Sequence, residues 1–256
     1  MNLKDKYTHV RHELMALREE DHLSSYQTIA PLIDLTLLDN HATPRDINAL
    51  VSKANQHHVA AVCILPEHLN YLTPSCGVNL TTVINFPSGN ESQQQVLNTI
   101  ERITALHHIN EIDYVFPYQA YLAGQKIGAL THCHHVYSRC KEHGLTFKVI
   151  IETGALPSIE VIYELSSAIL KNGCDFLKTS TGKIANGATI PAAFSILSAI
   201  IDSAKTCGIK VSGGIKTIDQ ALTFLQLAEY MFKHSLNNTH FRIGASSLLD
   251  ELIKKM

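Results

Sequence analysis

Apolar residues are arranged in two ways along this chain. In some places they form short, nearly unbroken runs bounded by turn residues, and between those runs they recur every three or four positions. Unbroken runs of four to six predict strands covered on both faces, whereas the wider spacing predicts amphipathic helices. Eight runs read as strands: 33–36, 59–64, 80–85, 111–116, 147–152, 176–180, 209–212 and 241–244. Helical patterns lie between them. Thr43-Pro44-Arg45-Asp46 supplies an N-cap, a proline at the first helical position and an early acid. Val96, Ile100, Ile103 and Leu106 mark a helix within 92–108, and residues 158–171 and 217–232 behave alike, the former closed by Asn172-Gly173.

Eight strand-then-helix units without a Pro/Gly/Ser-rich linker predict an α/β fold, a (β/α)8 TIM barrel, over residues 30–256. A doubly wound nucleotide-binding sheet would want GxGxxG after an early strand, and none is present. Residues 1–29 are charged and helix-prone and predict an N-terminal helical extension packed outside the barrel or across one end.

The apolar fraction of 45% supports a large core, and a net charge of −2 leaves no electrostatic footprint for nucleic acid or an anionic membrane. No apolar stretch is long enough to span a bilayer, and the first residues lack the apolar core of a signal peptide. The six cysteines form no CxxC, which fits reduced thiols in the cytoplasm. Of the fifteen histidines, His132 and His135 have metal-like helical spacing, but no acidic residue at zincin spacing accompanies them, so a solvated helix face and no metal are expected.

Lys178 and Lys210 each interrupt a run predicted to be buried. A buried lysine needs a partner, and burial with a second nearby cation lowers its pKa and makes the amine nucleophilic. The alternative is that each snorkels from an edge strand. Barrel active sites lie at the C-terminal strand ends, where both lysines fall, and this favours Schiff-base chemistry. Asp113 lies in the fourth strand run, as a proton relay or a structural salt bridge; burial would raise its pKa and lysines would lower it. Asp34 and Thr36 share one face of the first strand, to bind substrate hydroxyls or to serve as structural hydrogen-bonding groups. Cys63 and Asn85 end the second and third strands and are candidate pocket residues. Three turns suit an anion: Thr179-Ser180-Thr181-Gly182-Lys183, Ser212-Gly213-Gly214 and Gly244-Ala245-Ser246-Ser247. Glycines allow close backbone approach, and the loops after strands seven and eight are the recurrent phosphate site of such barrels.

These segments together resemble the deoxyribose-phosphate aldolase family. The likeness runs in family order from residue 31 to 249, through Ile33-Asp34-Leu35-Thr36, Ala61-Val62-Cys63-Ile64-Leu65-Pro66 and Thr82-Val83-Ile84-Asn85-Phe86-Pro87-Ser88-Gly89-Asn90. It continues through Glu111-Ile112-Asp113-Tyr114-Val115-Phe116-Pro117-Tyr118, Lys148-Val149-Ile150-Ile151-Glu152-Thr153-Gly154 and Phe176-Leu177-Lys178-Thr179-Ser180-Thr181-Gly182-Lys183. Ile209-Lys210-Val211-Ser212-Gly213-Gly214 and Arg242-Ile243-Gly244-Ala245-Ser246-Ser247 complete it. The resemblance implies a cofactor-free class I aldolase that cleaves 2-deoxy-D-ribose 5-phosphate to acetaldehyde and D-glyceraldehyde 3-phosphate. It implies Lys178 as Schiff-base lysine, Lys210 as its perturbing neighbour, Asp113 as relay acid and Cys63 near the substrate. Thr181, Gly182, Lys183, Gly213, Gly214, Gly244, Ser246 and Ser247 would surround the phosphorylated sugar.

Three departures stand out: a long N-terminal segment, a loosely matched stretch at 184–189, and an end at Met256 without the tyrosine-ended tail of some relatives. If that tail aids proton transfer, this chain arranges the transfer otherwise or runs slower. Rival readings are an aldolase for a longer phosphorylated sugar, a non-catalytic phosphosugar sensor and a metal-dependent aldolase. Self-association through outer helices, as in a homodimer, is compatible with all of them.

Overall fold

A computed structural model describes residues 2–17, 25–72 and 77–255. Eight parallel strands close into a barrel in sequence order, β1 (Ile33–Leu37), β2 (Ala61–Ile64), β3 (Asn79–Ile84), β4 (Glu111–Val115), β5 (Thr146–Ile150), β6 (Phe176–Lys178), β7 (Gly208–Ser212) and β8 (Phe241–Ala245), with β8 pairing back onto β1. The predicted TIM barrel is therefore the observed fold. Strands β2, β4, β5 and β6 are shorter than the apolar runs, β3 is shifted by one residue, and β1, β7 and β8 extend one residue beyond them. Val59 and Ala60 precede β2, and Asn85 and Glu152 lie just past β3 and β5 with left-handed backbone, φ 54° and 52°.

Helices cover the outside: α1 (Leu3–Leu17), α2 (Ser25–Ile29), α3 (Pro44–Gln56), α4 (Gln93–Leu106), α5 (Tyr118–Leu122), α6 (Lys126–Glu142), α7 (Ile159–Asn172), α8 (Ile190–Ser203), α9 (Ile218–Phe232) and α10 (Leu248–Lys254). Their starts follow the sequence signals. Thr43, Ser92 and Thr217 each accept from the backbone N–H three residues on and complete a capping box with Asp46, Gln95 and Gln220. Each helix turns an apolar stripe inward, such as Val96, Ile100 and Ile103 of α4. In the predicted N-terminal extension, α1 packs against α7, α8 and α9 on the barrel's flank, with Tyr7 tilted on Phe194 at 5.3 Å between ring centres.

His132, expected on a solvated helix face, is buried and packs edge-on to Tyr114 of β4; His68 is buried as well. His135 instead hydrogen-bonds Gln93 on α4 (2.9 Å), so the two helical neighbours face different surroundings. Among the described residues, no group of three or more His, Cys, Asp or Glu stands where it could hold a metal ion, and no helix is long and apolar enough to cross a membrane. Cys63, Cys133, Cys140, Cys174 and Cys207 are free thiols; Cys76 lies outside the described residues.

Glycine is required where α7 turns into β6. Gly173 has φ 104°, and a Cβ there would meet the Tyr137 ring at 2.4 Å. Gly173→Ala combines a disfavoured backbone with overpacking and should destabilise the fold by about 1–3 kcal/mol. At roughly 2–4 °C per kcal/mol for a chain of this size, calorimetry should show a melting point several degrees lower. Activity per folded molecule should be unchanged, because this turn is at the barrel end opposite the C-terminal mouth.

Candidate active site

Strand residues two apart share a face, so one residue in two points into the barrel. In most such barrels that interior holds layers of Val, Ile and Leu. Here it holds ions. Asp34 from β1, Glu111 and Asp113 from β4, Lys148 from β5, Lys178 from β6, Lys210 from β7 and Arg242 from β8 are all nearly or fully buried. Asp113 is the hub. Its Oδ1 accepts from Lys148 Nζ at 2.9 Å, and its Oδ2 accepts from Lys178 Nζ and Lys210 Nζ, each at 2.7 Å. Lys148 also pairs with Glu111, and Lys210 with Asp34 at 2.5 Å. Arg242 closes the layer beneath, donating to Asp34 Oδ1 at 2.6 Å and Glu111 Oε1 at 3.0 Å. Room for these long side chains comes from missing ones. A Cβ on Gly244 would lie 3.1 Å from the Lys210 stem, and one on Gly208 would strike the Phe176 ring at 2.3 Å.

Each ionisation state has an identifiable cause. Burial alone would raise the carboxyl of Asp113, but Lys148, Lys178 and Lys210 outweigh it and hold the group well below the usual carboxylate range. Asp34 and Glu111 are lowered for the same reason, by Lys210, Arg242 and Lys148. Lys210 and Lys148 overcome burial through Asp113 and a second acid each, and both are raised. Lys178 is the exception. Burial lowers its pKa, Asp113 opposes this, and the Lys210 charge adds to the lowering. Both causes expected from the sequence are present, and burial contributes more than the neighbouring lysine. The cluster contains four bases and three acids, so loss of one proton from Lys178 leaves it neutral. Lys178 has only one carboxylate partner and is the one lysine of the cluster that reaches the cavity above.

That cavity, about 270 Å³, opens at the C-terminal strand ends. Of the residues singled out in the sequence, Thr36, Lys178, Thr181, Gly182, Lys183, Gly213, Gly214, Gly244 and Ser246 line it. Asp113, Lys210, Asp34 and Cys63 are fully buried beneath it, so Asp34 contacts the ion cluster rather than the cavity. Burial pushes the Cys63 thiol up to about 11, which keeps it protonated near neutrality. Ser247 is exposed at the α10 N-cap, one residue beyond the wall. Asn85 serves the backbone, donating to the Val115 carbonyl and accepting from Glu91 N–H, each at 2.8 Å. The turn after β6 is fastened to β7: Thr179 O–H donates to the Ser212 carbonyl and Ser212 O–H to the Ser180 carbonyl.

Sequence reasoning missed Lys148, Glu111, Arg242, Glu152 and Lys216. Lys148 carried the same signal as Lys178, a lysine amid Phe147, Val149 and Ile150, and Glu111 and Arg242 likewise stand in apolar runs. Lys216 lines the cavity two residues after Gly213-Gly214 and adds a second cation to Lys183 at the mouth.

A closed parallel barrel with a buried, deprotonatable amine beneath a glycine-rich, cationic mouth defines a lysine-dependent lyase of the barrel-aldolase class. The comparisons agree. The sequence model described as "DeoC/LacD family aldolase" matches residues 28–252. A deoxyribose-phosphate aldolase of Agrobacterium fabrum (strain C58) is 37% identical over 229 residues, 87% of this chain and 88% of that protein. Among solved structures, the tetrameric deoxyribose phosphate aldolase from Aeropyrum pernix superposes with a TM-score of 0.75 at 23% identity, covering 92% of this chain and 98% of that one. An aldolase named QR15 gives 0.76 at 24%, covering 89% and 96%. This chain belongs to the DeoC/LacD family of aldolases.

Lys148→Met tests the cluster. Removing one partner of a buried ion pair typically destabilises by about 3–5 kcal/mol, measurable by denaturant unfolding. With Lys148 gone, Asp113 is left to its other lysines, so Lys178 should hold its proton more tightly. The rising limb of the pH–rate profile should then move to higher pH, and activity lost at neutrality should be partly recovered in alkaline buffer.

Proposed function

We propose that this aldolase is a deoxyribose-phosphate aldolase, cleaving 2-deoxy-D-ribose 5-phosphate reversibly to D-glyceraldehyde 3-phosphate and acetaldehyde through a Schiff base on Lys178, in the breakdown of deoxyribose phosphates. The observation that carries the reading is Lys178 itself. It is 2% exposed, its pKa is lowered, it is 2.7 Å from Asp113, and it forms the floor of a cavity rimmed by Lys183 and Lys216. The relative of 37% identity bears the same activity as its name.

In this mechanism neutral Lys178 attacks the C1 aldehyde of the open-chain sugar. Lys210, held as an ammonium, is the proton donor; Asp113, bonded to both lysines, relays its proton as the carbinolamine loses water to give the iminium, which leaves Lys210 neutral. Neutral Lys210, through Asp113, then takes the C3 hydroxyl proton, the C2–C3 bonding electrons move into the iminium, and glyceraldehyde 3-phosphate leaves. The same proton is returned to the enamine at C2, and water hydrolyses the resulting iminium to acetaldehyde, which frees Lys178 and restores the Lys210 ammonium. The amides and glycines of Thr181-Gly182-Lys183 and Gly213-Gly214, with Lys183, Lys216 and Ser246, are assigned to the phosphate. Orientation by such contacts can supply about 7–11 kcal/mol of barrier lowering. Thr36, on the opposite wall, is the candidate for a sugar hydroxyl.

An aldolase for a longer phosphorylated sugar would keep the same lysines, and product analysis separates the two, acetaldehyde against dihydroxyacetone phosphate. A sensor without catalysis would not need Lys178, Lys210 and Asp113 to be held together. Borohydride added with 2-deoxyribose 5-phosphate should leave a reduced adduct on Lys178 in peptide mass mapping; an adduct on another lysine would overturn the site. Lys178→Ala should keep the fold and lose activity, and turnover within about tenfold of wild type would defeat the mechanism. Lys210→Leu removes a charge that lowers the Lys178 pKa. The neutral amine should then form only at higher pH, and an unmoved rising limb would sink that pairing.

A further inference from the structure

Glu152 has no place in the chemistry above, yet it is the least ordinary residue near the mouth. It is a fully buried carboxylate with left-handed backbone, φ 52° and ψ 61°, a conformation that strains a long side chain. Among the described residues it forms no salt bridge within 4 Å. Burial raises its carboxyl pKa against its bonds with Thr181 and the more distant charge of Lys178. A strained, buried, unpaired acid persists only where its surroundings demand it.

The demand comes from the turn after β6. Thr181 O–H donates to Glu152 Oε2 at 2.5 Å, and Thr181 N–H points at both carboxyl oxygens, at 3.3 and 3.4 Å. Thr181 Oγ1 in turn accepts from Lys183 N–H at 3.0 Å, so a single chain of bonds runs from Glu152 to the backbone of Lys183. The left-handed turn at Glu152 also sets the next residues against the same loop. Thr153 N–H donates to the Thr179 carbonyl at 2.8 Å, and Gly154 lies so close to Asn186 that a Cβ would sit 2.1 Å from its carbonyl oxygen. Gly187 presses equally on Gly213, and Ala188 N–H donates to the Gly213 carbonyl. The loops after β5, β6 and β7 are thus stacked in order, with Glu152 at the root.

We propose that Glu152 is the positioning residue of the anion-binding mouth, fixing the turn 181–183 as a hydrogen-bond acceptor and not as a charge. The inference rests on the reading of that mouth as the phosphate end of the site. A carboxylate there would repel a bound phosphate, so only its acceptor geometry can help. Glutamine keeps one acceptor at the same reach, aspartate keeps the charge but falls one methylene short, and alanine keeps neither.

The test is calorimetric titration of inorganic phosphate into the wild type, Glu152→Gln, Glu152→Asp and Glu152→Ala. It is accompanied by steady-state kinetics with 2-deoxyribose 5-phosphate and with unphosphorylated 2-deoxyribose. Alanine and aspartate should weaken phosphate binding about tenfold or more, the scale of losing a hydrogen bond that orders a charged contact. They should raise KM for the phosphorylated sugar in step, with kcat within about threefold and KM for the free sugar unchanged. Glutamine should restore both to within about threefold of wild type. If Glu152→Ala folds too poorly to titrate, Glu152→Met keeps the reach and bulk of the side chain without an acceptor and should give the same split.

Phosphate affinity unchanged in the alanine variant would overturn the proposal. So would rescue by aspartate but not glutamine, or a fall in kcat shared by both sugars. The binding measurement needs no turnover. A wild type that binds phosphate in this Glu152-dependent way yet cleaves no sugar phosphate would refute the proposed reaction and leave the positioning role standing.

Discussion

One carboxylate organises this protein. Asp113 accepts from three lysine side chains in the buried barrel interior and is the one acid they share. A buried pair holds together only when geometry and further hydrogen bonds repay dehydration. The second acid on Lys148, the second acid on Lys210 and the two on Arg242 meet that requirement. Lys178 alone lacks a second acid, so the same network that keeps three bases charged leaves the fourth free to lose its proton. The nucleophilicity proposed for Lys178 is an imbalance within an otherwise closed set of ion pairs.

The fold was legible because its signals are local and repeated. Buried parallel strands give unbroken apolar runs, and capping boxes at Thr43, Ser92 and Thr217 mark helix starts with little ambiguity. Lys178, Lys210 and Asp113 were legible because an ionisable residue is conspicuous in such a run. Lys148 and Arg242 broke the pattern equally, but what gives them meaning is their pairing with Asp34, Glu111 and Asp113 across separate strands, which one dimension does not display. Asp34 shows the converse difficulty. A strand's period of two says which face a residue takes and leaves its depth along the barrel axis unstated, and depth separates a cavity wall from an ion cluster. Glu152 was hidden because its significance lies in a backbone angle and a missing counter-ion, neither of which a sequence displays.

The site is layered, and each layer has its own constraint. At the bottom, Arg242 bridges Asp34 and Glu111 outside the cavity lining, with its guanidinium over the Phe176 ring at 5.7 Å. In the middle, the three lysines around Asp113 set protonation. At the top, glycines at 182, 213 and 214, all with positive φ, let backbone rather than side chains face the cavity. Specificity changes are therefore best sought in the top layer, where substitution leaves the electrostatics of the nucleophile intact.

The barrel closes through β8 on β1, and the same junction carries the Arg242–Asp34 ion pair between residues 208 positions apart. Full burial of Asp34, Glu111 and Lys148 therefore requires the closing pair, because an open sheet would leave this layer to water. Long-range closure is slow for reasons of chain entropy. Here closure also completes the dehydration of seven ionisable side chains, so the assembled barrel and the protonation state of Lys178 rest on the same ion pairs.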